Sequence, residues 1–201
     1  MPEPMTDTPV SISVIVLHYN VEEDTQRCLT SLTTAMEHTE HDVQICVIDN
    51  GSKHPYALPE QFQDRDSIVV IRSEANLGFT GGNNLGFETA IKRFDPEYFM
   101  LLNADATVAP NIFDTLTSHS KNHQDNCLVC PKVYFTAGDE FHASSYEDAD
   151  RGSVLWYAGG VIDTAHLDAF HRGVDELDRG QFDDQKHSDF QTGCCLLIPR
   201  K

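Results

Sequence analysis

Two polar residues that directly follow an apolar run, Asn103 and Asp105, are the first candidates for chemistry in this sequence. The run over residues 98–102 predicts a buried strand. An unpaired carboxylate in such surroundings costs several kcal/mol, so Asp105 is expected to face a cleft or a cation. Residues two apart in extended geometry point the same way, and their oxygens suit Mg²⁺ or Mn²⁺ when a substrate phosphate supplies further ligands. A polar turn with Asp105 as a solvated cap fits this stretch equally well.

Polar residues also follow the three strands predicted earlier in the chain. They are Tyr19 and Asn20 after the first strand, Asp49 and Asn50 after the second, and Arg72 and Asn76 after the third. In a parallel sheet the carboxyl ends of the strands share one edge, and the ligands of open α/β sheets bind there. The coincidence favours one binding edge over four independent polar turns, although Asp49 by itself has the chemistry of a turn residue.

The elements that must position these residues alternate between strand and helix patterns. The predicted order is strand 10–17, helix 21–36, strand 42–48, strand 67–71, a glycine-rich loop 74–86, a helix carrying Phe87, Ala90, Ile91 and Phe94, strand 98–102 and a helix beginning near Pro110. This order predicts an α/β fold with a mostly parallel, doubly wound central sheet and helices on both faces. The remaining predictions are strands at 127–134, 154–162 and 190–198, an acidic surface segment at 138–151 and a loop-rich stretch at 163–188.

Composition and charge restrict the class of protein. The chain has 201 residues, 40% of them hydrophobic, and its net charge of −18 argues against a nucleic-acid partner. No stretch is long and apolar enough to span a membrane, and residues 1–9 lack the basic flank and apolar core of a signal peptide. We therefore expect a disordered leader over 1–9, a single domain over 10–201 and a cytoplasmic location. The six cysteines fit small buried hydrophobes better than metal ligands or disulfides.

Four motifs in order, LHYN, DNGS, NLGFTGGNNLG and LLNADATV, resemble those of family-two inverting glycosyltransferases with the GT-A fold. The later HRGVDELDRGQFD and FQTGCCLLIPR resemble the rhamnosyltransferase-like branch of that family. Each motif is weak alone, but their order and spacing make the resemblance specific, and it covers nearly the whole chain from Val10. It implies that residues 10–135 are a nucleotide-sugar-binding half and that 136–201 begin an acceptor-side half.

The resemblance also implies site residues. Those implied to bind the nucleotide sugar are Tyr19, Asn20, Asp49, Ser52, Arg72, Asn76, Gly78, Asn83, Asn103, His171 and Arg172, and Asp105 is implied to bind Mg²⁺ or Mn²⁺ on the diphosphate. His171 and Arg172 suit an anion, but they also suit an exposed loop of an acidic protein. Trp156 is expected in the core or a pocket wall rather than as a sugar platform. Because an ionised carboxylate only accepts hydrogen bonds, Asp49 is expected to favour uracil, thymine or guanine over adenine and cytosine.

Two features depart from the family's pattern. Asn103 stands where the family usually has the first Asp of an Asp-x-Asp motif, so Asp105 alone supplies a charged ligand. The family's general base is an Asp in a Glu-Asp motif downstream of the segment matching residues 192–200, so the catalytic base is expected beyond Lys201. We therefore expect a truncated acceptor half and a 201-residue chain that binds donor but transfers sugar poorly.

The implied function is transfer of rhamnose or another hexose from a UDP- or dTDP-sugar to a hydroxyl of a polysaccharide or lipid-linked glycan. The expected setting is cell-envelope glycan synthesis at the inner face of the cell membrane, with peripheral membrane association. The metal stabilises the departing diphosphate while the configuration inverts. The alternative is a non-catalytic nucleotide-sugar-binding module. A dinucleotide-binding oxidoreductase and a sugar-nucleotide pyrophosphorylase fit less well, because each needs a glycine-rich loop directly after the first strand, where this chain has LHYN.

Overall fold

The computed structural model describes residues 8–122, 127–185 and 187–200. They form two compact units, one comprising the chain up to Val129 together with the residues from Gly193 onward, the other Cys130–Thr192. The sequence-based division after residue 135 lies near this boundary, but residues 193–200 belong with the first unit. The predicted leader, apart from Thr8 and Pro9, lies outside the described residues.

Strands and helices alternate along the first unit. In order they are β1 (Ser11–His18), α1 (Glu22–Met36), β2 (Asp42–Asp49), α2 (Glu60–Gln63), β3 (Ile68–Arg72), α3 (Gly78–Arg93), β4 (Tyr98–Asn103) and α4 (Ile112–Asn122). The second unit contains β5 (Val133–Tyr134), a short 3₁₀ turn (Ala143–Ser145), β6 (Val154–Tyr157), β7 (Gly160–Asp163), β8 (Asp168–His171) and β9 (Glu176–Leu177). The chain then returns to the first unit as β10 (Cys195–Pro199).

The main sheet of the described chain has five strands in the order β10-β4-β1-β2-β3. β1 pairs in parallel with β2 and with β4, β2 pairs in parallel with β3, and β10 is antiparallel to β4. The middle of β1 is buried throughout, which explains its nearly continuous apolar sequence. The predicted mostly parallel sheet is confirmed.

Helices cover both faces of this sheet, as the doubly wound pattern predicts. On one face, the apolar stripes of α1 and α4 form a single cluster with alternate residues of β1 and β2, including Leu29, Phe113 and Val14. On the other face, α3 packs its Ala90 against a cluster that contains Ile15. The structure therefore has the α/β architecture of the GT-A fold, with α1 and α4 on one side and α3 on the other.

The glycine-rich segment 74–86 is not the predicted loop, because its second half forms the first turns of α3. Its glycines contact the sheet directly. A Cβ on Gly82 would lie 2.3 Å from Leu17, and a Cβ on Gly86 would lie 2.5 Å from Ile15. Close packing of the helix on β1 therefore outweighs the poor helix propensity of glycine.

Other corrections concern short strands. The predicted strand 127–134 consists of an isolated bridge at Val129 and the two-residue β5. The predicted strand 154–162 is broken after β6 at Gly159, whose φ is +115°, and the chain restarts as β7. β6 pairs with β5 and β9, whereas β7 and β8 form a separate hairpin. The predicted strand 190–198 begins only at Cys195, and α2 has no counterpart among the predicted elements.

Candidate functional site

The polar ends of the parallel strands meet at one edge of the main sheet. The pairing register aligns His18 with Asp49 and Asp49 with Arg72. On the other side of β1, Leu17 is aligned with Asn103. We call this region the carboxyl edge; it comprises the ends of β1 to β4 and the loops that follow them.

Asp49 is the most buried charged group of the carboxyl edge, with 1% of its surface exposed. Its carboxylate accepts hydrogen bonds from the backbone N–H of Ser52 at 2.9 Å and of Tyr56 at 3.0 Å, and it pairs with the Arg72 guanidinium. Burial by itself would raise the pKa of Asp49, but the hydrogen bonds from Tyr56, Ser52 and Arg72 outweigh it and lower the pKa to about 2. Asp49 is therefore a stably ionised anchor for the loop after β2.

Arg72 lies between this anchor and solvent. Its Nη1 pairs with Asp49, its Nη2 donates to the carbonyl of Ser52 at 2.8 Å, and its side chain is 35% exposed. The sequence predicts that Asp49 contacts the nucleobase. In the structure, both oxygens of the Asp49 carboxylate already accept hydrogen bonds from the protein. A base could reach Asp49 only where the Arg72 guanidinium now lies.

The loop after β1 is fastened to the loop after β2. The N–H of Asn20 donates to Ser52 Oγ at 3.0 Å, and the Asn20 side chain accepts from the N–H of Lys53 at 2.8 Å. Asn20 has a φ of +56°, a conformation that asparagine tolerates better than most residues. The turn presents the ring of Tyr19, which is 46% exposed, at the carboxyl edge.

Asn50, a residue not among those predicted to bind the nucleotide, organises the start of α3. Its Nδ2 donates to the side chain of Asn76 at 3.1 Å and to the carbonyl of Gly78 at 3.2 Å. Its Oδ1 accepts from the N–H of Leu77 at 2.9 Å. The predicted site residues Asn76 and Gly78 thus lie together, whereas Asn83, buried one turn into α3, donates to Phe79. From the sequence, the DNGS motif indicates only a turn at Asn50, because the hydrogen-bond partners of Asn50 lie 26 to 28 residues later in the chain.

A second feature that sequence reasoning missed is the buried pair His18 and Tyr56. Their rings lie 4.4 Å apart between centroids. His18 Nδ1 is 2.7 Å from the hydroxyl of Thr25, which donates to Val21, so Nδ1 carries the proton. His18 Nε2 and the Tyr56 hydroxyl have no hydrogen-bond partner among the described residues. Burial lowers the pKa of His18 and raises the pKa of Tyr56 to about 12, so both stay neutral near pH 7.

Asn103 and Asp105 do not share the extended geometry expected of them. β4 ends at Asn103, and a turn closes with the N–H of Ala106 donating to the Asn103 carbonyl at 3.1 Å. Asp105 lies exposed in that turn. Over the ranges 8–122, 127–185 and 187–200, no three His, Cys, Asp or Glu side chains are grouped to hold a metal ion. An exposed carboxylate fits a hard divalent cation only as one ligand among others, such as the oxygens of a diphosphate.

His171 and Arg172 have contacts within the second unit. The Arg172 guanidinium donates to the carbonyls of Ala158 at 3.3 Å and His187 at 3.3 Å, and more weakly to that of Gln185. These bonds join the base of the β7–β8 hairpin to the loop before β10. The ring of His171 lies 4.7 Å from that of Trp156 and also contacts Tyr157 and Phe190. Trp156 thus contributes to an aromatic cluster, and the predicted contact of His171 and Arg172 with a diphosphate stays a prediction.

The general base is expected beyond Lys201, and Lys201 itself lies outside the described residues, the last of which is Arg200. The position of the base therefore stays a prediction. β10 runs antiparallel to β4 and aligns Pro199 with Tyr98, so it leads away from the carboxyl edge. A base supplied after Lys201 would have to return across the sheet to reach a sugar bound at that edge.

Within the part of the chain that the structure describes, no helix has both the length and the apolar character needed to cross a membrane.

Comparison with known proteins gives one family match. Glycosyl transferase family 2 matches residues 13–201. The low-salt glycan biosynthesis hexosyltransferase Agl10 of Haloferax volcanii is 25% identical over 61% of this chain and 36% of its own length. The uncharacterized glycosyltransferase EpsJ of Bacillus subtilis is 27% identical over 59% of this chain and 33% of its own length. The chain therefore spans about a third of the length of these relatives.

A solved structure, S. aureus TarS 1-349 in complex with UDP-GlcNAc, matches 56% of this chain and 32% of its own chain. The sequence identity is 20% and the TM-score is 0.44, a likeness too low to support a conclusion.

Proposed function

The chain belongs to glycosyl transferase family 2, and from that premise we propose that its carboxyl edge binds a nucleoside diphosphate sugar whose sugar is transferred to a hydroxyl group of a glycan. The observation that carries the proposal is the common edge shared by the Arg72–Asp49 pair, the exposed ring of Tyr19 and the exposed Asp105. A cation, an aromatic ring and a carboxylate are the groups that a diphosphate, a nucleobase and a metal ion respectively require.

The proposed donor is a UDP- or dTDP-sugar. Tyr19 offers a ring on which a base can stack, and Arg72 offers a partly exposed guanidinium. If Arg72 turns toward the diphosphate, the Asp49 carboxylate becomes available to a base N–H. Because Asp49 stays ionised and only accepts, it would bind the imide N–H of uracil or thymine and repel the unprotonated ring nitrogen of adenine or cytosine.

A Mg²⁺ or Mn²⁺ ion is proposed to bind jointly to Asp105 and the diphosphate. When bound, such a metal stabilises negative charge that develops on the leaving diphosphate. The protein's own contribution is one exposed carboxylate beside the last residue of β4. A net charge of −18 repels a free diphosphate at long range, so local positive charge at this edge is needed for tight binding.

The finer parts of the function are also proposals. They are inversion of configuration, rhamnose or another hexose as the sugar, a polysaccharide or lipid-linked glycan as the acceptor, and a cytoplasmic location at the inner face of the cell membrane. Residues 1–201 alone are expected to bind donor and to transfer sugar slowly, since we assign no general base among the described carboxylates. The motif resemblance supports the proposals on stereochemistry, sugar and acceptor, which enzymatic assays with the chain test; the location is proposed from the sequence alone, and cell fractionation tests it.

Isothermal titration calorimetry with UDP, dTDP, GDP, ADP and CDP, each with and without Mn²⁺, tests the proposal. We expect UDP or dTDP to bind most tightly and Mn²⁺ to strengthen binding. We expect Mn²⁺ alone to bind weakly, because one carboxylate is a poor site by itself. ADP or CDP binding as tightly as UDP would exclude the role proposed for Asp49.

The variant Asp105→Ala tests the metal assignment. It should lose the gain in UDP affinity that Mn²⁺ provides and keep the metal-free affinity. Asp64→Ala is a matched control, because Asp64 is exposed but lies just before the start of β3, at the opposite edge of the sheet. If Mn²⁺ strengthens UDP binding equally in both variants, Asp105 is not a metal ligand.

A further inference from the structure

Phe79 is a large apolar residue whose exposure the fold does not explain. It lies in the first turn of α3 with 53% of its surface exposed. The backbone beside it is fixed, because Asn50 bonds to the carbonyl of Gly78 and to the N–H of Leu77. Leu77 and Tyr19 are also about half exposed at this edge. All three side chains are apolar or aromatic and exposed on a protein whose charge is strongly negative.

The tip of the Phe79 ring reaches the opposite side of the carboxyl edge. A Cβ added to Gly193 would lie 2.9 Å from Cζ of Phe79, so the absence of a side chain at residue 193 admits the ring. The next residue, Cys194, accepts a hydrogen bond at 2.9 Å from the N–H of Asn103. The ring therefore ends close to the last residue of β4, two residues before Asp105.

From this position we infer that the Phe79 ring binds the sugar of the nucleotide sugar by stacking against its C–H face. The inference rests on the proposed function, which assigns the diphosphate to the region of Asp105. The sugar is attached to the outer phosphate, and in an extended donor it lies beyond that phosphate, away from the base. Phe79 lies at that end, whereas Tyr19 lies at the end of β1, next to β2.

The chemistry of Phe79 suits an uncharged ring. A phenyl side chain offers neither charge nor hydrogen bonds, so it adds nothing to diphosphate binding. It does offer a flat apolar face, and a pyranose presents C–H groups on one of its faces. Removing that contact area from water stabilises the bound sugar. Phe79 is therefore a specificity-determining residue, which should affect the sugar-dependent part of the affinity alone.

The ratio of two affinities tests the inference. The 201-residue chain is titrated with UDP and UDP-glucose, and with dTDP and dTDP-rhamnose, in Mn²⁺. We expect the wild-type chain to bind at least one nucleotide sugar more tightly than its bare nucleotide. Phe79→Ala should reduce that gain about 5-fold, as expected for the loss of one ring face of apolar contact, and leave the bare nucleotide unaffected. Phe79→Tyr, which keeps the ring, should retain the gain.

Two further variants distinguish the contribution of the Phe79 ring to sugar binding from nonspecific effects of mutation on affinity. Ile91→Ala is the matched control, because Ile91 is 42% exposed on the same helix but near its other end. It should change neither affinity. Gly193→Ala should reduce the sugar-dependent gain, because its methyl group displaces the flexible tip of the ring. Thermal melts verify that all variants are folded.

The possible results distinguish this inference from the proposed function. If the wild-type chain binds no nucleotide, the proposed function fails and the inference falls with it. If nucleotides bind but the sugar adds no affinity, or Phe79→Ala leaves the gain intact, only the inference is overturned. If Phe79→Ala weakens the binding of the nucleotide and of the nucleotide sugar equally, Phe79 supports the structure of the site, and the inference is overturned.

Discussion

The Asp49 carboxylate gives a prediction whose magnitude follows from the structure. Its pKa falls from 3.8 to about 2 because hydrogen bonds from Tyr56, Ser52 and Arg72 outweigh the cost of burial. At about 1.36 kcal/mol for each pH unit, this fall corresponds to about 2 kcal/mol of folding stability. The variant Asp49→Asn removes the charge and turns an amide NH₂ toward groups that are themselves donors. We expect it to lower the free energy of unfolding by about 2–4 kcal/mol at pH 7.

The pH dependence has a definite sign. A carboxyl group whose pKa is lower in the folded state contributes its full stability above its unfolded pKa of 3.8. That contribution disappears as the pH falls toward the folded value of about 2. The difference in unfolding free energy between wild type and Asp49→Asn should therefore be constant from pH 7 to about pH 5 and shrink below it.

Urea denaturation followed by circular dichroism, repeated at several pH values, measures this difference. Asp64→Asn serves as the control, because Asp64 is exposed, and it should change stability by less than about 0.5 kcal/mol. If Asp49→Asn lowers the free energy of unfolding no more than Asp64→Asn does, the bonds to Asp49 do not stabilise the fold as described. The same conclusion follows if the loss is the same at pH 3 as at pH 7.

Three further predictions concern other parts of the chain. Burial lowers the pKa of His18 below 6.5, so protonation of His18 is less favourable in the folded than in the unfolded chain. The unfolding free energy should therefore fall as the pH falls below about 6.5. In urea titrations at several pH values, His18→Asn should lack the part of this pH dependence that His18 contributes. Gly86→Ala should destabilise the first unit by about 1–3 kcal/mol in the same assay, because its methyl group would lie 2.5 Å from Ile15; an unchanged midpoint would contradict the close packing of α3. Arg172→Lys and Arg172→Ala should each lower the free energy of unfolding by about 1 kcal/mol, because an ammonium group cannot donate to the same set of backbone carbonyls as the guanidinium. If both variants instead lose affinity for UDP, that result supports the diphosphate role of Arg172.

The parallel strands and the carboxyl edge could be predicted because their signals are local. β1, β2 and β4 are continuous apolar runs that end abruptly at polar residues, and a parallel sheet brings such ends together. The start of α3 could not be predicted in this way. Four glycines within its first nine residues indicate a loop by propensity, and the close approach of Gly82 to Leu17 and of Gly86 to Ile15 explains why this segment is helical.

The chemistry of individual side chains was less predictable than their location. The sequence indicates that Asp49 follows a strand, but not that its buried carboxylate accepts bonds from Tyr56, Ser52 and Arg72, the last of which lies on a neighbouring strand 23 residues away. Likewise, the sequence indicates two basic groups beside a glycine at His171 and Arg172. It does not indicate that the guanidinium is occupied by backbone carbonyls. In both cases at least one partner is distant in the chain, and no local pattern encodes that contact.

The hydrogen bonds of the carboxyl edge determine how much backbone ordering and how much added positive charge the binding of a ligand requires. The loops after β1, β2 and β3 are bonded to one another through Asn20, Asn50 and Arg72, so little backbone ordering is left for a ligand to provide. The same bonds occupy the Arg72 guanidinium, so a diphosphate must compete with Asp49 for it. In a protein with a net charge of −18 that competition is unfavourable without added positive charge. The backbone of the edge is thus ordered for the proposed nucleoside, but its positive charge is incomplete for a diphosphate, and the divalent cation proposed at Asp105 would supply the charge that it lacks. Nucleoside binding should therefore be nearly independent of metal, whereas nucleoside diphosphate binding should depend on it strongly. Titrating uridine beside UDP, with and without Mn²⁺, compares the two directly.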